Sequence, residues 1–251
     1  MKNKSLKRKL NSNQVTIGGW ITFQSDKSIE VLSNFPFDWL CLDIEHNLFN
    51  HETLLGLIRT IQYYDKAALI RIDSNDPVII KKCLDAGADG LIIPMINSAQ
   101  DALNAVRSSY YPPHGIRGVG LSRAQNYGLE FENYQDWVKD NLVIIAQIEH
   151  HEGIKNIDEI VKIDGIDGLI IGPYDLSASI GHPGNLESLE MKEMIEKFQK
   201  TCLNAGKAYG EHIVYPDKMK LNKTIESGSN FIAYGTDFNF MIKGLNDGFH
   251  I

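Results

Sequence analysis

The chain reads as an α/β protein, a (β/α)8 barrel forming a single domain over residues 1–251. Three observations predict it. Eight short apolar runs alternate with segments whose apolar residues recur at helical spacing, and strict alternation implies parallel strands covered by helices. One junction recurs, in GADGLIIP, GIDGLIIG and GSNFIAYG, where a helix-ending glycine feeds a buried strand. Eight such units within 251 residues suit a closed barrel. The open doubly wound alternative wants a G-x-G-x-x-G loop after the first strand, and GGWITFQS lacks it.

Residues 4–12 read as a short polar helix within a lead-in over 1–13, ended by Asn11-Ser12-Asn13. VTIGGWI (15–21) is a strand whose central glycines suggest close approach of a backbone or ligand. DKSIEVLSNF has helical spacing, and FDWLCLD (37–43) is a buried strand. Leu54, Leu57, Ile58 and Ile61 mark an amphipathic helix, with Asn50 as its cap. KAALIR (66–71) is a strand, PVIIKKCLDAG a helix closing on Gly87, GLIIP (90–94) a strand and SAQDALNAVRSSYY a helix. An irregular stretch, PPHGIRGVGLSRAQNYGLEFEN, precedes a helix around 134–140. Then come the strand VIIAQIE, the helix IKNIDEIVKI, the strand GLIIG and a short helix after Gly172-Pro173. LEMKEMIEKFQKTCLNAG is a long helix, AYGEH a strand, KMKLNKTIESG a helix and FIAYG (231–235) the last strand. Residues 236–251 form a C-terminal segment suited to a subunit interface.

Composition is ordinary for a globular protein, 43% hydrophobic and 23% charged, with a net charge of −7. Lysine and arginine cluster only in MKNKSLKRKL, read as a solvated first turn or helix, so nucleic acid is not an expected partner. Cys41, Cys83 and Cys202 are widely spaced in apolar or helical contexts without C-x-x-C, which argues for reduced, buried thiols. No apolar run approaches the ~18 residues of a membrane span, and the start lacks a signal-peptide core. The expectation is a cytoplasmic protein with no membrane partner.

In such barrels the active site lies at the C-terminal strand ends, and polar residues collect there: Trp20 and Thr22, Asp43-Ile44-Glu45-His46, Arg71, Gln147 and Glu149, Tyr174-Asp175, Glu211-His212 and Asp237. The opposite ends read as glycine, alanine and ordinary surface residues. Glu149 and Asp175, with Gln147 alongside and no cysteine near, favour a hard divalent cation, Mg²⁺ or Mn²⁺, completed by water and substrate oxygens. The bland alternative pairs both acids with Arg71 and nearby histidines in structural ion pairs. His46 alone has an equally ordinary structural reading. His150, His151 and His212 lie close in sequence, but no ligand spacing supports a zinc site. Asp175 stands where a strand turns into a helix, beside amides without helical partners that can hold a substrate carboxylate.

DWLCLDIEH, LIRI, LDAGADGLIIPM, YPPHGIRGVG, AQIE and GLIIGPYDLSASIG together resemble the HpcH/HpaI family of class II pyruvate-dependent aldolases, from about Gly18 to Gly244. AQIE followed by GPYDLS carries most of the specificity. The resemblance implies Glu149 and Asp175 as metal ligands, for Mg²⁺, Mn²⁺ or Co²⁺. It implies Gln147 as a substrate contact, with Gly172, Pro173 and the Tyr174 and Asp175 amides around the pyruvate carboxylate. It implies Arg71 as the enolate stabiliser and His46 as the base; Trp20 and His212, at the ends of strands one and seven, are read from their position as substrate contacts. Asp85 matches an acid that raises the basicity of the histidine. It precedes a helix-ending glycine at the far end of the barrel, so it acts indirectly, from a neighbouring subunit, or only as a surface acid. Asp43 is a local alternative partner for His46.

The activity implied is reversible aldol cleavage of a 4-hydroxy-2-oxo acid to pyruvate, or a related 2-oxo acid, and an aldehyde. The assembly implied is a homohexamer, a trimer of dimers exchanging C-terminal helices, although LNDGFHI after Gly244 is short for an exchanged helix. Lys66 starts strand three, the wrong end for a Schiff base. Glu211-His212 and Tyr174 depart from the apolar residues and alanine of better-known members and suggest a polar acceptor; Tyr174 can equally be packing. Two other functions compete: a related lyase or synthase using acetyl-CoA, oxaloacetate or a phosphorylated enolpyruvate, and a non-catalytic barrel.

Overall fold

A computed structural model describes residues 6–249; residues 1–5 of the lead-in and 250–251 of the C-terminal segment lie outside it. Eight strands close a barrel in sequence order, every neighbouring pair parallel. They are β1 (Thr16–Ile21), β2 (Trp39–Asp43), β3 (Ala67–Arg71), β4 (Gly90–Ile93), β5 (Val143–Ile148), β6 (Gly168–Ile171), β7 (Ala208–Ile213) and β8 (Phe231–Thr236). Between and around them run α1 (Leu6–Asn11), α2 (Asp26–Ser33), α3 (His51–Tyr63), α4 (Pro77–Asp85), α5 (Ala99–Ser109), α6 (Phe131–Asn141), α7 (His151–Lys155) and α8 (Ile157–Ile160). The later helices are α9 (Pro173–Ser179), α10 (Leu189–Asn204), α11 (Lys218–Glu226) and α12 (Asp237–Phe249).

Successive strand side chains alternate between faces, and here they sort into two cores. Leu40, Leu42, Ile70, Leu91, Ile144 and Leu169 face outward, under the helices. Trp39, Cys41, Leu69, Ile92, Ile145 and Phe231 fill the interior, which Leu6 and Leu10 of α1 close from below. Trp39 and Phe231 stack there at 4.5 Å. A Cβ at Gly18 would lie 2.0 Å from the Trp39 ring, so β1 needs glycine for that ring to fit.

Helix starts follow local chemistry. Asn50, Asp76, Ser98, Ser188 and Asp217 each accept a backbone N–H from the first turn of α3, α4, α5, α10 and α11. The recurring junction holds too: Gly87, Gly165 and Gly228 have φ of 96°, 94° and 92°.

The N-terminal end of the barrel carries a polar pattern that sequence reading did not separate from surface residues. Asp38, Asp89, Asp167 and Asn230 precede β2, β4, β6 and β8. Each accepts an early N–H of the strand before it, from Ile17, Ala68, Ile144 and Tyr209 at 2.8–2.9 Å. Lys7 and Lys9 pair with groups at this end. Lys7 Nζ lies 2.9 Å from Asp167 and donates to the Leu142 carbonyl at 2.8 Å; Lys9 pairs with Asp38 at 2.5 Å.

Three expectations on elements change. The helix expected over 154–163 is α7 and α8, broken at Asn156, whose side-chain amide donates to the Asn97 carbonyl at 2.8 Å. The irregular stretch holds a 3-10 turn, Arg123–Gly128, with Asn126 and Tyr127 in the left-handed region. The segment after Thr236 is one helix continuing through Gly244 to Phe249. No described helix is long and apolar enough to cross a membrane. Cys41, Cys83 and Cys202 are free and buried, and burial raises all three thiols, Cys83 and Cys202 to about 12.

Candidate active site

The interior parity continues past the apolar layers to the C-terminal ends of the strands. Below, Cys41, Leu69, Ile145, Ile170 and Ala208 point inward. The same faces of β2, β3, β5, β6 and β7 therefore carry Asp43, Arg71, Gln147 and Glu149, Gly172 and His212 into the mouth. A cleft of about 330 Å³ opens there, lined by every sequence-expected site residue except Asp85 and Glu149: Trp20, His46, Arg71, Gln147, Gly172, Pro173, Tyr174, Asp175 and His212. Larger hollows of about 780 and 720 Å³ lie on the N-terminal face, away from the C-terminal strand ends.

Arg71 is locked in place. Its Nε donates to Asp43 Oδ1 at 2.8 Å and its Nη2 to Oδ2 at 2.7 Å, while Nη1 lies 3.2 Å from Glu45 Oε2. Asp43 also accepts from the Asn47 side chain at 3.0 Å and the Glu45 amide at 3.2 Å. Burial pushes the Asp43 carboxyl up, and the Arg71 guanidinium more than offsets it, holding the group below its ordinary value. Asp43 thus serves Arg71; it makes no hydrogen bond to His46, whose Nε2 is instead 3.9 Å from Glu45 Oε2. Arg71 also lies over the Trp20 ring at 4.9 Å, and Trp20 stacks on His212 at 4.5 Å.

Glu149 is buried behind the cleft wall. Its Oε1 accepts the Met95 N–H at 2.7 Å, and its Oε2 takes a hydrogen bond from the Gln147 side chain. Met95 itself sits at φ 53°, an uncommon backbone state that turns its N–H toward the acid. Burial, with the Asp175 charge adding, raises the Glu149 carboxyl against those two bonds. Glu45 is raised to about 7, first by burial and then by Glu149, Asp43 and Asp175, with Arg71 opposing. An ion pair of Glu149 or Asp175 with Arg71 is therefore not what forms; Arg71 is taken by Asp43 and Glu45.

These residues fit a divalent cation. Burial and the charges of Glu149, Asp43 and Asp175 raise Glu45 against Arg71, so several carboxylates crowd one end of the cleft. Gly172 keeps the space open, since a Cβ there would lie 3.2 Å from Glu149 Oε2. Among the described residues no group of three or more His, Cys, Asp or Glu is placed to hold a metal ion; a hard cation here would be held by Glu149 and Asp175, with ligand oxygens completing its shell.

The turn after β6 is built by its own sequence. The first bond of α9 runs from the Leu176 N–H to the Gly172 carbonyl, which leaves the Tyr174 and Asp175 amides at the open helix start. Ser177 Oγ donates to the Tyr174 carbonyl at 2.6 Å and accepts the Gly184 N–H at 2.8 Å; Ser179 Oγ accepts the His151 N–H at 2.9 Å. His150 caps α7 and His151 meets the Ser179 carbonyl at 3.1 Å, so both have structural partners.

Asp85 falls at the far end, as its place before Gly87 suggested, and one expectation, on Glu211, is corrected. Asp85 lies at the end of α4, on the opposite face of the barrel, where its Oδ1 accepts from buried Arg117 at 2.6 Å. Within one chain it is not a partner of His46. Glu211 points outward by strand parity, meeting Thr224 at 2.9 Å and Lys220 at 3.2 Å, so it shapes no acceptor pocket. Sequence reading missed Glu45, Asn47 and the Met95 amide as site groups. Glu45 was visible inside DIEH, but its role depends on which face each neighbour takes. Asp237, noted only as a strand-end acid, accepts the Thr22 and Phe23 amides at 2.9 and 2.8 Å and fixes the loop after β1.

The family model for HpcH/HpaI aldolase/citrate lyase matches residues 16–244. A 4-hydroxy-2-oxo-heptane-1,7-dioate aldolase of Klebsiella pneumoniae is 38% identical over 244 residues, 96% of this chain and 91% of that protein. Among solved structures, an HpcH/HpaI aldolase/citrate lyase family protein of Burkholderia cenocepacia has a TM-score of 0.92 at 28% identity, covering 98% of each chain. The citrate synthase SbnG has a TM-score of 0.87 at 25% identity, covering 98% of this chain and 96% of that one. With the match running from β1 into α12, the chain is an enzyme of the HpcH/HpaI aldolase/citrate lyase family.

Proposed function

We propose that the enzyme catalyses reversible, divalent-metal-dependent aldol cleavage of a 4-hydroxy-2-oxo acid to pyruvate, or a related 2-oxo acid, and an aldehyde. The observation that carries this reading is the pairing of a locked cation, Arg71 on Asp43 and Glu45, with a buried, charge-strained acid, Glu149. A divalent cation held by Glu149 and Asp175 supplies Lewis-acid stabilisation of charge on the 2-oxo acid.

The chain's own groups do the rest. The Tyr174 and Asp175 amides receive the substrate carboxylate at the start of α9, and Gln147 orients the acid head. His46, exposed at the cleft mouth, takes the C4 hydroxyl proton as the C3–C4 bond breaks. The bonding pair becomes the enolate, whose oxygen Arg71 stabilises, and a proton returned to C3 completes pyruvate. Among the described residues no lysine lines the cleft; Lys66 Nζ donates to the Phe35 and Phe37 carbonyls at the far end, which favours the metal route over a Schiff base. Asp85 contributes to this chemistry only where a second copy brings it to the mouth, and we take the working form to be a homo-oligomer, a hexamer built as a trimer of dimers in the cytoplasm.

The test supplies pyruvate and Mn²⁺ with a panel of aldehydes to wild type, His46→Ala and Glu149→Gln. Turnover is expected in wild type and at least ~100-fold lower in both variants; unchanged rates in the variants remove the mechanism. The likeness to a citrate synthase supports a second reading, condensation with oxaloacetate, and the same assay with acetyl-CoA and oxaloacetate separates the two.

A further inference from the structure

The hollow of about 720 Å³ on the N-terminal face is lined by two arginines from different elements, Arg59 of α3 and Arg123 of the 3-10 turn. Neither lines the cleft at the mouth. Neither forms an ion pair among the described residues, whereas Arg71 and Arg117 do. Arg123 is half-buried and held by neutral acceptors: Nη1 donates to the Ala86 carbonyl at 2.9 Å and Nη2 to Gln62 Oε1 at 2.6 Å. Gly87 makes its seat, since a Cβ there would stand 2.3 Å from Arg123 Nη1. Arg59 Nη2 lies 3.5 Å from the Tyr127 hydroxyl. Tyr127 and Asn126 hold φ of 56° and 51°, a backbone state that costs energy in residues other than glycine.

The nearest buried acid does not neutralise this pair directly. Asp89 Oδ2 accepts the Ala68 N–H at 2.8 Å and the Gln62 side-chain amide at 3.0 Å, so Gln62 stands between Asp89 and Arg123. Burial also pushes the Asp89 carboxyl up to about 6. Asp65, Glu130 and Lys66 complete the charged lining, with Lys66 Nζ on the Phe35 and Phe37 carbonyls. Burial, then the Arg59 charge, lowers the Arg123 guanidinium, against Asp89 and Tyr127. Like charges in a partly dehydrated hollow cost free energy that an anion between them recovers. A guanidinium has more N–H donors than these acceptors occupy, and its fork matches the oxygens of a phosphate or a carboxylate. The hollow is larger than a bare ion fills, and exposed Tyr63 and Tyr127 at its wall offer ring faces to an organic body.

We propose that Arg59 and Arg123 form a second ligand site that binds a small organic oxyanion. Its phosphate or carboxylate lies between the two guanidinia and its body against Tyr63 and Tyr127. The site uses neither the metal nor the aldol chemistry, so it stands or falls apart from the catalytic reading.

The full chain is titrated calorimetrically with phenyl phosphate, benzoate, inorganic phosphate and benzyl alcohol at constant ionic strength. Wild type is compared with Arg59→Gln, Arg123→Gln, Arg107→Gln on the exposed side of α5, and Glu149→Gln in the cleft. Saturable binding of phenyl phosphate or benzoate is expected, the tighter of the two naming the oxyanion, with benzyl alcohol at least about tenfold weaker. Affinity is expected to fall at least about tenfold in Arg59→Gln and Arg123→Gln, and to stay within about twofold in Arg107→Gln and Glu149→Gln. Arg59 is exposed, so Arg59→Gln decides the outcome if Arg123→Gln does not fold. No saturable anion binding, benzyl alcohol bound as tightly as the anions, or full affinity in Arg59→Gln overturns the site. Binding lost in Glu149→Gln and kept in Arg59→Gln assigns the anion to the cleft and overturns it too. Inorganic phosphate bound as tightly as phenyl phosphate overturns the ring contact.

Discussion

At the scale of single residues, the site depends on charges kept where water cannot easily screen them. Asp43 is 3% exposed and bonds Arg71 through both oxygens, so Asp43→Asn leaves the guanidinium half-paired. The expected cost is ~3–5 kcal/mol of stability, with a fall in turnover of at least ~10-fold. Denaturant midpoints and steady-state rates check both; a variant as stable and active as wild type would show that Glu45 alone suffices. His212 gives a pH signature. Unfolded histidine titrates near ~6.5, while the folded ring is pushed down to about 4. Between those values the unfolded chain binds the extra proton. The contribution of His212 is therefore complete above pH ~6.5 and declines toward pH 4, by on the order of 3 kcal/mol. Unfolding free energies measured from pH 7 to 4 should fall less steeply in His212→Gln, and parallel curves would contradict the assignment. Asp43, Arg71, Gln147, Glu149 and His212 were legible as strand-end residues, but their partners were not. Glu45 and Asp43 are two residues apart on one strand end, and only packing assigns both to Arg71 with His46 left near Glu45.

At the scale of elements, alternation and turn chemistry carried the reading. Asn50 caps α3 as expected, and each helix-ending glycine of the repeated junction takes a positive φ. The turn from β6 into α9 is tightly constrained at Gly172. Gly172 has φ −103°, a backbone any residue tolerates, yet a Cβ would sit 2.9 Å from Glu149 Cβ and 3.2 Å from its Oε2. Gly172→Ala should therefore keep the fold while weakening Mn²⁺ binding and turnover by at least ~10-fold, because Glu149 must move. Circular dichroism with Mn²⁺ titration tests this, and full affinity in the variant would mean the acid does not depend on that space. Helix α12 escaped the sequence reading for a plain reason: Gly244 and Gly248 lower its intrinsic propensity by ~1 kcal/mol each, and its packing on β8 decides the outcome. Phe240 meets Tyr234 at 5.9 Å and Phe37 at 6.2 Å.

At the scale of the whole molecule, the barrel has two differently built ends. The N-terminal end is tied by four equivalent side chains, Asp38, Asp89, Asp167 and Asn230, and by Lys7 and Lys9 of α1; the other end spends its polar residues on the cleft. One stretch of the outer surface stays apolar and open. Met241, Ile242, Leu245 and Phe249 of α12 are all exposed, an apolar face that association would cover. Light scattering should report an oligomer, and Ile242→Glu with Leu245→Glu should shift it to smaller species. A wild-type monomer at micromolar concentration would remove the proposed assembly, and with it the route by which Asp85 reaches a neighbouring His46.

The sequence by itself determined the barrel, because eight buried runs at helix-separated intervals leave few ways to bury both faces of a parallel sheet. It also marked the mouth, since polar residues following apolar strands can reach only the mouth or the outer shell. The tertiary structure alone decided which acid holds Arg71, that Glu211 turns outward while His212 turns in, and that Asp85 pairs with buried Arg117. Strand position is a local property readable along the chain. Pairing between strands depends on register and burial, which exist only once the barrel has closed.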